Sequence, residues 1–248
     1  MLSVFWTQVF IRPLTNLLIF LYNIVPGHDL GISIIILTII IRLILYPSSR
    51  KAIKSQRAMQ NLQPQLDKIK EKHKDDKQKQ TQETLKLYQE NKISPFSSCL
   101  PLLIQMPILI ALYWVFRKVS VEDVSGLLYS FIYAPQNFSP YFLGLIDLTK
   151  PEVYVLPVLA GASQFIQSWM ILRRSKKEHK PDEKVQDIGS AISKQMTYIF
   201  PIITIIFAAS LPAAIALYWI TTNLFSIVQQ YIIMKEENSE PKAIVRKK

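Results

Sequence analysis

The chain has 248 residues, half of them hydrophobic, and a formal charge of +11. A soluble basic protein would not carry several long apolar runs, so the charge reads as membrane topology; no basic patch interleaves aromatics suited to stacking bases, which argues against DNA. One cysteine (Cys99), six glycines and three scattered histidines (His28, His73 and His179) exclude an internal disulfide, a Gly-rich phosphate loop and a clustered metal site, so no cofactor is implied.

The first segment, residues 1–27, is apolar but interrupted by Gln8, Arg12, Pro13, Thr15 and Asn16. It has no basic n-region or small-residue cleavage site, so it does not read as a secretory signal. Two placements stay open: a span, or an amphipathic helix in the interface with Trp6, Phe10, Leu14, Leu17, Leu18 and Leu21 buried. The aromatic content and the polar interruption favour the interface. Pro26-Gly27-His28-Asp29 then reads as a turn.

Residues 28–47 form the first expected transmembrane helix, ending GISIIILTIIIRLILYP. The run approaches the ~20 residues that cross a ~30 Å hydrocarbon core. Isolated strands would leave backbone groups unpaired in lipid, so the isoleucines sit on a helix. Its one charge is Arg42. Such a charge costs about 3 kcal/mol on insertion scales. Two readings remain: snorkelling, since Pro47 is only roughly 7.5 Å further along the helix, or a functional charge.

Residues 48–95 are too polar for lipid, yet Met59, Leu62, Leu66, Ile69, Leu85 and Tyr88 recur at helical spacing. They read as a helical hairpin with a thin apolar seam and a turn at residues 74–77. Ile93-Ser94-Pro95-Phe96 breaks the helix before a second span, 96–118, which carries Pro101, Gln105 and Pro107. Residues 119–152 are a mixed connection, part of which (127–133) is apolar enough to pack on or dip into the interface. The third span, 153–172, holds Ser163, Gln164, Gln167 and Ser168; Gln164, Gln167 and Ser168 share one helix face. A charged loop, 173–194, precedes spans at 195–211 and 213–234, which meet at a tight corner on Pro212. The last span holds Tyr218, Trp219, Thr221, Thr222 and Asn223, and a basic tail, 235–248, follows it.

Most Lys and Arg fall in the hairpin, the 173–194 loop and the tail. The positive-inside rule therefore puts those segments and the C-terminus in the cytoplasm and the N-terminal segment outside. Arg117 and Lys118 are the local exception. The polar residues at membrane depth have two readings: interhelical glue worth ~0.6 kcal/mol per bond, or the lining of a hydrated cavity. No Asp or Glu lies in any expected span, so Arg42 lacks an acidic counter-charge there. The expected architecture is an all-α polytopic membrane protein with a positively charged cavity for acidic or polar cargo.

Long stretches resemble the YidC-type membrane protein insertases: PLTNLLIFLYN (13–23), RLILYP (42–47) and MQNLQPQLDKIKEKHKDD (59–76), then CLPLLIQMPILIALYWVFR (99–117), LPVLAGASQFIQ (156–167) and LPAAIALYWITTNLFSIVQQYII (211–233). The resemblance covers essentially the whole chain in order and matches the short form without the large extracytoplasmic domain. It implies five transmembrane helices around a hydrophilic groove, a cytoplasmic helical hairpin and an N-terminal interfacial amphipathic helix. It also implies an insertase of the bacterial plasma membrane, working alone or with the Sec translocon, with no covalent chemistry. Its partners would be nascent membrane proteins, the ribosome and the lipid bilayer. The family's groove arginine falls on Arg42, its groove glutamine on Gln167 with Gln164 nearby, and its groove tryptophan on Trp219. Thr38, Gln105, Ser168, Thr222 and Asn223 complete the expected lining. A small-solute channel would need a polar path continuous to the outside, and a structural assembly factor would need the hairpin rather than Arg42.

Overall fold

The computed structural model describes residues 2–91, 100–121, 124–136, 138–178 and 188–239, and these are mostly helical. Cys99, the Ile93–Phe96 break, His179, much of the 173–194 loop and the tail beyond 239 lie outside them. The N-terminal segment is one apolar rod: α1 (Leu2–Trp6), a π turn (Thr7–Ile11) and α2 (Arg12–Ile24). Next come α3 (Leu30–Ile44), α4 (Tyr46–Asn61), α5 (Gln63–Lys72), α6 (Lys77–Glu90) and α7 (Leu100–Val121). The remaining helices are α8 (Val155–Glu178), α9 (Ile188–Ser210) and α10 (Ala213–Ser239). Helices α8, α9 and α10 continue past the expected lipid-crossing stretches. Charge ends a span but not a helix, since Arg, Lys and Glu are good helix formers.

Two local features depart from expectation. The chain is not wholly helical, because β1 (Tyr141–Phe142) pairs antiparallel with β2 (Ile146–Asp147) inside the 119–152 connection. The hairpin region also holds three helices rather than two. A break at Leu62 separates α4 from α5, and Pro64 sits in the first turn of α5, where its missing N–H is harmless. Helices α5 and α6 fold back on each other across the expected turn, with Asp76 Oδ1 capping the Lys79 amide at 2.9 Å. The seam is one-sided: Leu62 and Leu66 are buried, but Leu85 is 48% exposed. The mostly polar α6 contributes no buried residue.

Among the described residues, Ser3–Ile24 is the one unbroken helical stretch long and apolar enough to cross a bilayer on its own. Leu30–Ile44 and Tyr46–Asn61 meet that standard only as a pair, bent by 66°. The bend falls at Leu45, where Pro47 starts the new helix.

The core lies between α2, α3, α7, α8 and α10, with Leu18, Ile19, Tyr22, Ile34, Leu37, Leu112 and Ile215 fully buried. Helices α8 and α9 pack closely because Gly161 lacks a Cβ; an added one would strike Ile205 and lie 3.1 Å from the Pro201 carbonyl. Small residues permit such backbone approach in membrane bundles.

The polar residues that interrupt the N-terminal rod face protein. Asn16 Nδ2 donates to the Leu127 carbonyl at 2.9 Å, and its Oδ1 accepts from the Tyr129 amide at 2.6 Å. Arg12 Nε donates to the same Leu127 carbonyl at 3.2 Å while its guanidinium lies over the Tyr129 ring. Asn23 donates to the Tyr133 carbonyl, and the Tyr22 hydroxyl accepts from the Ser139 amide. The helix α2 is thus stitched along its length to residues 127–139.

One short segment, residues 140–152, closes the end where α3, α8 and α10 begin. Asp29 caps α3 through the Ile32 amide (2.9 Å) and reaches the Leu143 amide (2.5 Å) with its other oxygen. Glu152 accepts from the Tyr154, Val155 and Leu156 amides at the start of α8. The Lys150 and Leu148 carbonyls accept from the Ala213 and Ala214 amides. Helix starts leave such N–H groups without partners inside the helix. Here the loop serves those of α8 and α10, while Asp29, which also holds the loop at the Leu143 amide, serves that of α3; we refer to this as the capped end.

Candidate functional site

Arg42 lies on the last turn of α3, near the end opposite the caps. It is half-buried, and its Nη2 donates to Gln105 Oε1 on α7 at 3.2 Å. The Gln105 amide nitrogen in turn donates to the Tyr218 hydroxyl on α10. The amide has no alternative sense, because a guanidinium only donates and must meet the carbonyl oxygen. Three helices are therefore joined through one side-chain chain, Arg42–Gln105–Tyr218. Among the described residues no carboxylate forms an ion pair with Arg42. Its hydrogen-bond partner, the Gln105 amide, is neutral, so among the described residues the positive charge is oriented without a counter-charge.

The surrounding polar side chains fall into two groups. Thr38, one turn above Arg42, is buried and donates to its own helix at the Ile34 carbonyl, 2.6 Å away. Thr222 lies one turn below Tyr218 and is buried. Ser226 donates to the Thr222 carbonyl at 2.9 Å, and Gln229 follows. The spacing Tyr218, Thr222, Ser226, Gln229 draws a polar stripe along one face of α10 from Arg42's level toward α4. There Gln229 Nε2 meets Ser49 Oγ at 2.7 Å and the Tyr46 carbonyl at 3.4 Å. A cleft beside this contact is lined by Ile53, Gln56, Met170, Gln230 and Met234.

The second group joins helices away from Arg42. Asn223 Nδ2 donates to Ser163 Oγ at 3.1 Å and toward the Ala160 carbonyl at 3.4 Å, tying α10 to α8. For Asn223 the interhelical-glue reading therefore fits the geometry. Gln164, Gln167 and Ser168 are half-buried on α8, and no hydrogen bond links them to Arg42 among the described residues. Trp219 is half-buried and packs against the apolar core.

Tyr218 is the site residue that sequence reasoning left without a role, and Ser226 and Gln229 extend it. The spacing of four between Tyr218, Thr222 and Ser226 was the available signal.

The family model described as 60Kd inner membrane protein matches residues 20–240. The chain belongs to this family. It is 37% identical to the membrane protein insertase YidC of Fusobacterium nucleatum, over 90% of this chain and 96% of that protein. Identity to the membrane protein insertase MisCA of Bacillus subtilis is 34%, over 98% of this chain and 86% of that protein. Against the YidC of Magnetococcus marinus the match spans 95% of this chain but only 37% of the relative, at 34% identity. Membership in the 60Kd inner membrane protein family brings the described helices together with a membrane setting.

Proposed function

We propose that this chain is a membrane protein insertase that works through the charge of Arg42, held by Gln105 and Tyr218 at the end of the bundle opposite the caps, beside the bend at Leu45 (the hinge end). The family and the insertase relatives carry the activity. The observation that carries the mechanism is that Arg42 meets a neutral amide, with no described carboxylate paired to it. Its attraction is therefore available to an acidic residue on a passing substrate tail. In a hydrated groove of effective dielectric near 20, a pair at ~4 Å gains about 4 kcal/mol before desolvation. That holds a hydrophilic tail briefly without trapping it. The substrate's apolar segment then leaves into lipid, where burying ~20 apolar residues makes the step downhill. Partitioning and the membrane potential acting on the tail's charge supply the driving force.

In the same reading, α3, α7, α8, α9 and α10 are five spans. The 15-residue α3 is long enough for a bilayer only with its bent continuation, whereas α7, α8, α9 and α10 have 22, 24, 23 and 27 residues, above the ~20 a span needs. The stripe on α10 with Thr38, Gln105, Gln164, Gln167, Ser168 and Trp219 lines the groove. The basic asymmetry of the sequence puts the capped end outside and the α4–α6 region in the cytoplasm, where nascent chains on the ribosome arrive, with or without a Sec translocon. Stitching of α2 to the 127–139 connection supports its lying along the outer surface. A small-solute channel fits less well, because loop backbone and carboxylates fill the capped end.

The test is insertion of an acidic-tailed substrate by reconstituted protein. Arg42→Ala is expected to fold and to lose at least about tenfold in insertion rate, the loss of ~1.4 kcal/mol of the pairing. Arg42→Lys keeps the charge, and because Arg42 makes a single rather than bidentate bond, it should retain most activity. Neutralising the substrate's tail should shrink the difference between Arg42→Ala and the parent. Wild-type insertion by Arg42→Ala would remove the direct-attraction mechanism and restore snorkelling.

A further inference from the structure

We propose that the tip of the β1–β2 hairpin, Leu143-Gly144-Leu145, is a membrane anchor that sits in the headgroup–acyl boundary of the bilayer at the capped end. The inference rests on the membrane setting in Proposed function, but on neither the Arg42 mechanism nor the orientation.

The first observation is a leucine in the wrong conformation for a leucine. Leu143 has φ of 51° and Gly144 follows at 70°, so the turn needs two left-handed residues in a row. Gly, Asn and Asp are the residues such turns favour, because a larger side chain meets steric cost there. Leu143 is nonetheless 61% exposed and Leu145 is 82% exposed. Two bare leucines at a strained turn gain nothing from water. In lipid they bury their whole apolar surface, which offsets the conformational cost.

The second observation is that the tip is aimed. Phe142 lies so close over Gly31 that a Cβ there would overlap its ring, and Ile146, its cross-strand partner, also packs on the core. The Asp29 carboxylate holds the Leu143 amide. With the hairpin's inner side filled, Leu143 and Leu145 are presented outward as a fixed wedge.

The third observation is the distribution of charge. Residues 138–146 contain no ionisable side chain other than Tyr141. The first acid, Asp147, is paired with Lys150 at 2.9 Å, on the side of the hairpin away from its tip. Beyond Lys150 the exposed apolar surface resumes at Val153, Tyr154 (79% exposed) and Val155, and continues down α8 through Val158 and Leu159. Tyr141 and Tyr154 have an apolar ring and a polar tip, the chemistry of residues at a membrane interface. The hairpin thus continues the surface that α8 offers to lipid.

Site-directed spin labelling tests this in vesicles of phosphatidylcholine and phosphatidylglycerol, in a Cys99→Ser background without substrate. Nitroxides are placed at Leu145→Cys, Tyr154→Cys and Lys150→Cys, all at exposed side chains. Labels at 145 and 154 should collide severalfold more with oxygen, relative to a water-soluble nickel chelate, than the label at 150. If 145 and 154 collide with the nickel chelate as freely as 150, the tip stands in water and the anchor is wrong. Low collision with both reagents at 145 would also overturn it, because the tip would then be covered by protein. Insertion activity is read on the same samples. An aqueous tip in a protein that still inserts acidic-tailed substrate refutes the anchor alone, whereas an immersed tip in an inactive protein refutes the insertase mechanism alone.

Discussion

At the capped end, Asp29, Glu152 and two loop carbonyls satisfy the first amides of α3, α8 and α10, and Asp29 also holds the β-hairpin at the Leu143 amide. At the hinge end, α4 turns away by 66°, and Gln229 on Ser49 and the Tyr46 carbonyl and an Arg50–Glu236 ion pair of 2.6 Å tie it to α10. The first set consists of short, locally directed bonds to backbone that has no other partner. The second joins side chains across a helix crossing, and both members of its ion pair are 43% exposed. A bundle built this way has one end that resists opening and one end that gives. Arg42, in the last turn of α3, sits near the end that gives.

The largest expected effect is at Asp29. Asp29→Ala removes the α3 cap, worth about 0.5–2 kcal/mol, and releases the Leu143 amide at the same time. Melting of the purified protein should fall by about 1–8 °C, scaling from a 150–250-residue chain. Asp29→Asn keeps an acceptor for one amide and should fall less. Equal melting for Asp29→Ala and the parent would mean that the capped end is held by packing alone.

Acid offers a reversible version of the same break. Burial opposes ionisation of Asp147 and Glu152, but the hydrogen bonds outweigh it: Thr149 and Lys150 on Asp147, the α8 amides on Glu152. Both carboxyls are held below their ordinary range. Their contribution is fully present above the unfolded-state values, about 4, and is lost as pH falls through the depressed folded values. The Lys150 ammonium is raised by its hydrogen bond to Asp147, so its share is lost only as pH rises through that raised value. A nitroxide at position 145 should keep constant mobility from neutrality down to about pH 5 and loosen only below about pH 4. Loosening centred near neutrality would point to a group other than these carboxylates.

The sequence exposes this asymmetry unevenly. Apolar runs, Arg42 and Pro47 announce the bundle, its charge and its bend, because each acts through local chemistry. The turn before α6 is visible for the same reason. The break at Leu62 was legible in Pro64 but was hidden by a helical period that runs through it. Asn16 looks like an interruption of a lipid-facing helix until its partners, residues 127 and 129, come into contact from more than a hundred positions away. Tyr218 likewise gains meaning only when α7 delivers Gln105. Periodicity shows which face of a helix is polar, not which distant segment meets it.

Tyr218→Phe measures how far Arg42 depends on that meeting. Tyr218 is buried, and removing its hydroxyl leaves the Gln105 amide without its acceptor. The expected cost is about 1 kcal/mol of stability, with insertion of acidic-tailed substrates reduced but less than in Arg42→Ala. Because the charge remains, a neutral-tailed substrate should be unaffected. If acidic and neutral tails lost rate equally, Tyr218 would be supporting the fold rather than orienting the charge.

The smallest effect on stability is expected at the hinge end, and its smallness is the informative part. Exposed ion pairs contribute about 0–1 kcal/mol, so Glu236→Ala should leave the melting temperature unchanged. It should nevertheless speed hydrogen exchange in residues 46–61, since local opening depends on local bonds rather than on global stability. Raising ionic strength in the parent should mimic the substitution, because salt screens an exposed pair. Adding Gln229→Ala removes the second tie. The two side chains hold the same helix crossing, so the double variant should exchange faster than the separate effects predict. Residues 30–44 should keep their protection throughout, since α3 is anchored at the capped end by Asp29. Faster exchange in both helices would mean that α3 and α4 open as one unit and that the bend at Leu45 is no hinge. Unchanged exchange in the double variant would place the hold on α4 in buried Ala52 and its packing, and the two ends would then be equally fixed.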